Sequence, residues 1–179
     1  MAGVASPYVH GAITNGTTYY YIVTATNLAG ESTASSQVSS IPMPPIPSAP
    51  IGVSATAGDT QNTISWTAVT GATSYNIYYG FAAGVTTATG TKIAGATSPY
   101  IHTGMANGTT IYYIVTAVNL AGESTASSQV SAMPLPPIPA APTGVSATAG
   151  DTQVTISWTA VSGATSYNIY YGFAAGVTT

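Results

Sequence analysis

Few side chains in this 179-residue chain could do acid–base or ligand chemistry: the acids Glu31, Asp59, Glu123 and Asp151, the histidines His10 and His102, and one lysine, Lys92. Cysteine is absent, so neither a disulfide framework nor a thiolate metal site can form. The acids fall one to a turn, and if those turns lie at opposite ends of a module no general acid/base pair can form within it. Serine is abundant, but nothing in the sequence orients a histidine between a serine and an acid. Divided between two stretches 92 residues apart, the histidines and acids give one histidine and two separated acids each, which falls short of a zinc or calcium ligand set. We therefore expect no catalysis, no metal and no cofactor. The one carboxylate cluster left to look for is Asp59 facing a glutamate across a junction.

Composition sets further bounds. Charged residues make up 3% and hydrophobic residues 45%, with a formal net charge of -3. A lone cation cannot neutralise a phosphate backbone, which excludes nucleic acid as a partner. So little charge favours association over mutual repulsion, and self is the first partner to expect. No apolar run approaches the length of a membrane span, so no membrane insertion is expected in this segment. Met1 is not followed by a basic stretch and an apolar core; if the protein is exported, its signal is expected upstream of these residues.

Internal repetition decides the organisation. The phrase Thr63-Ile64-Ser65-Trp66-Thr67-Ala68-Val69 recurs at Thr155 to Val161, an offset of 92 residues. Residues 1–87 align without a gap on 93–179, with about 70 of the 87 pairs identical. A period that long is a whole domain rather than a solenoid unit. Within it, apolar residues alternate along Val53 to Ala57, Ile64 to Ala68, Tyr75 to Tyr79, Tyr100 to Thr103, Ile111 to Val118 and Gln129 to Ala132. Turn residues such as Gly58-Asp59, Thr70-Gly71, Asn107-Gly108 and Ala121-Gly122-Glu123 separate these runs. Short strands at regular spacing, with no helical period, predict an all-β sandwich.

The opening Ala49-Pro50, the strand Ile64-Ser65-Trp66, the strand Tyr75-Asn76-Ile77-Tyr78-Tyr79, and the run from Asn107-Gly108-Thr109 through Val115 to Gly122-Glu123-Ser124 together resemble fibronectin type III domains. More narrowly, they are similar to the tandem Thr/Ala-rich type III repeats of large bacterial surface proteins. The resemblance implies immunoglobulin-like sandwiches with strands A, B and E on one sheet and C′, C, F and G on the other. It also places His102 on strand E facing the core. At the tyrosine-corner position, whose hydroxyl ties the E–F turn, it aligns Tyr19 in the first repeat but Ile111 in the second, so the central module should lack that bond.

On this reading the chain holds one complete and two half modules. Residues 1–40 supply strands E, F and G, 41–47 form a Pro-rich linker, 48–132 a complete sandwich, 133–140 a second linker, and 141–179 strands A, B and C. The Pro-Pro-Ile-Pro linkers should be semi-rigid, extending by roughly 3 Å per residue as polyproline II. Each half alone exposes a core face: Tyr19, Tyr21 and Val23 in the first, Trp158, Tyr167, Ile169 and Tyr171 in the last. These seven are the expected complementation residues, either between successive copies in a head-to-tail polymer or along one continuous chain of repeats.

Alternation on strands F and C points Tyr78, Tyr112, Ile114 and Val118 outward, making them candidates for lateral packing or for contact with a surface glycan. The sequons Asn15-Gly16-Thr17 and Asn107-Gly108-Thr109 fall in the E–F turn, where Asn-Gly serves as a turn former. Three functions fit: a structural component of an extracellular fibre or surface appendage, a carbohydrate-binding or adhesive surface module, and a spacer module of a secreted hydrolase. Uniform repetition and near absence of charge favour the first, at an extracellular or cell-surface location.

Overall fold

A computed structural model describes residues 2–179, and every regular element in it is a strand. In the first segment β1 (Tyr19–Tyr21) pairs antiparallel with β4 (Val38–Ser40), and β2 (Thr26–Asn27) with β3 (Gly30–Glu31). The central segment contains β5 (Ser54–Gly58), β6 (Gln61–Ser65), β7 (Ser74–Gly80), β8 (Thr91–Ala96), β9 (Tyr100–Thr103), β10 (Ile111–Asn119), β11 (Gly122–Glu123) and β12 (Val130–Ala132). The last segment is the hairpin of β13 (Thr143–Gly150) with β14 (Gln153–Thr159).

The central strands form two antiparallel sheets, β5-β6-β9 and β8-β7-β10, with β11 and β12 both added to the outer edge of β10. This is the expected A-B-E and C′-C-F-G arrangement, with strand G in two pieces. Between those pieces serine hydroxyls replace the ladder's carbonyl acceptors: Ala117 N–H donates to Ser124 Oγ at 2.9 Å and Val115 N–H to Ser127 Oγ at 3.0 Å. The first segment repeats the device, with Ala25 N–H on Ser32 Oγ and Val23 N–H on Ser35 Oγ. The Ser-Thr-Ala-Ser-Ser phrase is thus a local structural signature.

Between the sheets lies one core: Ile64, Trp66, Ile77, Ala96, Ile111, Tyr113 and Val115. Alternation along β10 places Ile111, Tyr113, Val115 and Ala117 inward as expected, all four with no exposed surface. The tyrosine corner also follows expectation. Tyr19 Oη accepts from Thr14 N–H at 2.9 Å, whereas the buried Ile111 carries no hydroxyl to do so.

Two strand readings are corrected. Strand B runs over Gln61–Ser65 rather than Ile64–Ala68, because Thr60 turns the chain at φ +54° and the A–B ladder begins at once. Beyond Ser65 the main chain of Trp66 bonds the Ser98 hydroxyl instead of a strand. Strand β8 escaped the alternation pattern because Ile93 is its one bulky apolar residue and a bulge interrupts its register with β7.

The flanking segments keep only the strands whose partners they contain. The central E strand, β9, pairs with B alone, and the C strand, β7, pairs with F and C′. The first segment lacks a B strand and the last lacks an F strand. The equivalents of E (residues 8–11) and of C (residues 166–172) accordingly form no ladder, although both were expected as strands.

The first linker is fastened at both ends. Gly16 N–H donates to Pro42 O at 2.8 Å, and Asn119 Nδ2 donates to Pro45 O at 2.7 Å. Leu120, in the F–G turn of the central module, packs so closely on the E–F turn of the first segment that a Cβ on Gly16 would lie 2.7 Å from its Cδ2. With φ at +80° as well, that position is confined to glycine.

Candidate interaction surface

Alternation predicts an outward-facing aromatic patch, and the structure corrects it. Tyr78 is 5% exposed and Ile114 is 3% exposed, while Tyr112 and Val118 are half-buried. The cause is the loop after β7. Gly84 and Val85 N–H donate to Gln129 Oε1 at 3.0 and 2.9 Å. Gln129 directly precedes β12, on the far side of β10, so the loop must cross the outer face above β7 and β10. Gly90 permits this fold, since a Cβ there would come within 2.9 Å of Tyr78 Cβ. Ile114 and Tyr78 are cross-strand partners in the ladder, and the one cover serves both. They offer no open platform to a glycan or to a neighbouring fibre.

Beside Tyr78 lies a polar cluster centred on Glu123. Glu123 Oε1 accepts from Asn76 Nδ2 at 2.8 Å, from Tyr78 Oη at 2.9 Å and from the Thr116 hydroxyl. Its Oε2 meets Lys92 Nζ at 3.4 Å, and Lys92 also lies over the Tyr78 ring. Burial pushes the Glu123 carboxyl up, but the hydrogen bonds from Asn76, Thr116 and Tyr78, with the Lys92 charge, outweigh burial and hold it at about 2. A carboxylate so fully engaged is a structural acceptor and a poor base. Sequence reasoning assigned Glu123 only to a turn. Asn76 and Tyr78 stand two apart on β7, and Thr116 is the register partner of Asn76, so the outward side of the alternation held the signal.

His102 lies in the core as expected, 8% exposed, with Nδ1 and the Tyr113 hydroxyl 3.2 Å apart. Burial lowers its pKa. Asp59 is not part of a junction cluster: its Oδ1 accepts from Asn107 Nδ2 at 2.8 Å, while Asn107 Oδ1 accepts from Thr60 N–H. The sequon asparagine thus buttresses the A–B turn through the same amide nitrogen a glycan would need. Among the described residues no group of three His, Cys, Asp or Glu could hold a metal ion, and no helix is long and apolar enough to cross a membrane.

The open surfaces lie in the flanks. In the last segment a groove of about 660 Å³ is lined by Val154, Ile156, Trp158, Tyr167, Ile169 and Tyr171, among others. Trp158 and Tyr167 retain the tilted ring contact seen between Trp66 and Tyr75, with centroids 5.1 and 5.3 Å apart. Trp158 is only half-buried, because the sheet that covers Trp66 is absent over it. Ile169 is 56% and Tyr171 83% exposed. In the first segment Val23 is 69% exposed, while Tyr19 and Tyr21 are half-buried around His10. The seven complementation residues therefore form two separate apolar faces, which the structure does not bring together.

No family model matches the chain, and no curated protein matches it. Among solved structures it is similar to an Fn3-like protein from Clostridium thermocellum, with 31% identity over 52% of this chain and 97% of that one, at a TM-score of 0.43. It is also similar to the chicken CNTN1 FN1-FN3 domains, with 20% identity over 72% of this chain and 46% of that one, at a TM-score of 0.47. A third likeness is to a beta-1,2-glucanase from Parabacteroides distasonis, with 29% identity over 51% of this chain and 13% of that one, at a TM-score of 0.42. With its A-B-E sheet packed on C′-C-F-G around the strand-B tryptophan, the central module has the fibronectin type III-like β-sandwich fold.

Proposed function

We propose that the chain is a non-enzymatic structural component of an extracellular fibre or surface appendage, its modules joined head-to-tail through complementary half-modules or along one continuous chain. The observation that carries this reading is that one sequence occurs both closed and open. Residues 54–80 and 100–132 bury their shared core in the central module, and their near-identical counterparts flank it as two uncovered faces. Each large apolar side chain left in water forfeits roughly 1.5 to 3 kcal/mol, a strong drive toward closure. Self is the partner this favours, since 3% charge gives neither repulsion between copies nor a handle for a charged ligand. The fastened linker supports an extended stack, because the Asn119 and Leu120 contacts hold the first segment against the end of the central module. The adhesive reading loses ground with Tyr78 and Ile114 covered. Electron microscopy and sedimentation of the purified polypeptide test the proposal: filaments lengthening with concentration support it, and a monodisperse monomer at high concentration counts against it.

A further inference from the structure

The Glu123 cluster has a divided counterpart. Ninety-two residues earlier stands Glu31, whose carboxylate accepts from the Thr24 hydroxyl as Glu123 does from Thr116. The other two donors to Glu123, Asn76 and Tyr78, have their counterparts Asn168 and Tyr170 in the last segment, where Tyr170 is 57% exposed. Every side chain of the hydrogen-bonded acceptor site is present in the polypeptide, on two surfaces that do not touch. Lys92 alone is unrepeated, because residues 88–92 have no counterpart in either flank.

We propose that two copies of this polypeptide associate by pairing residues 20–26 of one with 166–172 of the other, and that this completes a carboxylate site in which Glu31 of one copy is held by Asn168 and Tyr170 of the second. The register follows from the central module, where Val115 stands opposite Ile77 and Thr116 opposite Asn76. Shifted by the repeat, Val23 faces Ile169 and Thr24 faces Asn168. A slip by one residue would turn the tyrosine and asparagine away from Glu31 and send the apolar set to the wrong face, so the polar site fixes the register that the apolar core alone would leave loose. Thr24 already holds one side of the carboxylate, which leaves two donors for the second copy to supply. The completed site contains no cation, since the only lysine lies elsewhere, and association through it should depend little on screening by dilute salt.

The inference rests on the proposed joining of half-modules and deepens it. The test is a double-mutant cycle on the self-association constant of the 179-residue chain, with Glu31→Gln and Tyr170→Phe placed singly and together, and with Tyr78→Phe as a control inside the central module. Each flank substitution is expected to weaken association about tenfold or more, as for hydrogen bonds to a charged group, and the double substitution little further. Tyr78→Phe should lower the thermal stability of the central module and leave the association constant unchanged. Association that persists with additive or negligible effects at Glu31 and Tyr170 overturns the inference and leaves the filament reading standing. A wild-type chain that stays monomeric overturns both. Coupling between the two positions seen only in the unfolding of a monomer means closure within one chain and equally overturns the proposal.

Discussion

The central module and its two flanks are nearly the same sequence in two physical states. Val115 is fully buried while Val23 is 69% exposed, Ile77 is fully buried while Ile169 is 56% exposed, and Tyr78 at 5% contrasts with Tyr170 at 57%. Local features survive in both: the serine-capped F–G segment, the Trp–Tyr ring contact, and the bond from Val69 or Val161 N–H to the following tyrosine hydroxyl, 2.7 Å in each. What the flanks lack is everything that needs a strand found only in the other flank. Local sequence thus shapes turns and hairpins, whereas strands C and E and the core exist only where their partners do.

The largest expected break in that comparison is at the tryptophans. Trp66→Ala should destabilise the central module by about 3 to 5 kcal/mol, as for truncation of a buried aromatic. Trp158→Ala in the dilute, unassociated chain should cost less than about 1 kcal/mol, since its cover is absent. Chemical denaturation of the two variants checks the contrast, and equal costs would mean that the last segment is as well packed as the centre.

Acid titration separates the modules next. Glu123 titrates at about 2 in the fold against 4.5 for a free glutamate, so its stabilisation is complete above the unfolded value and drains away as pH falls from about 4.5 toward 2. The upper bound is about 3 kcal/mol, reduced by screening because the side chain is about one-third exposed. His102, whose pKa burial lowers from 6.5, acts earlier and with the same sign: the unfolded state takes up a proton first, and stability begins to fall below about pH 6.5. Thermal unfolding across pH should show both losses, and Glu123→Gln should remove the second.

Smaller effects sharpen the picture. Asn107→Ala should cost about 1 to 2 kcal/mol by freeing Thr60 N–H and Asp59, measurable by denaturant unfolding of the central module. The pair Asn62→Val and Ile111→Tyr converts the central module to the residues found at Val154 and Tyr19. It removes the buried Asn62 Oδ1, which has no partner, and supplies the missing tyrosine corner, at the cost of the Asn62 bonds to Tyr113 Oη and Ala132 O. The net change should lie within about 1 kcal/mol, and a larger loss would show that Asn62 anchors this core in a way the repeat does not share.

Much of this architecture was legible in the sequence. The 92-residue offset and the inward set on β10 follow from spacing and alternation, and the difference between Tyr19 and Ile111 from the resemblance to fibronectin type III domains. The outer face of the C′-C-F-G sheet was not legible. Alternation tells which side a residue faces but not whether a loop lies across it, and here Gly84, Gly90 and Gln129 fold residues 81–90 over Tyr78 and Ile114. Strand β8 was missed because a bulged edge strand rich in small residues lacks a period of two. The Glu123 cluster went unread because its members are distant in sequence and meet only through the C–F register.

Amide hydrogen exchange at residues 20–26 and 166–172, measured from dilute to concentrated solution with residues 74–80 and 111–119 as an internal reference, bears most directly on the claim that the flanks are the two halves of one sandwich. The account predicts fast exchange in both flanks when dilute, slow exchange in both together as copies associate, and a constant pattern in the central strands. Flanks that stay unprotected in assembled material, or that are protected equally at every concentration, would contradict it.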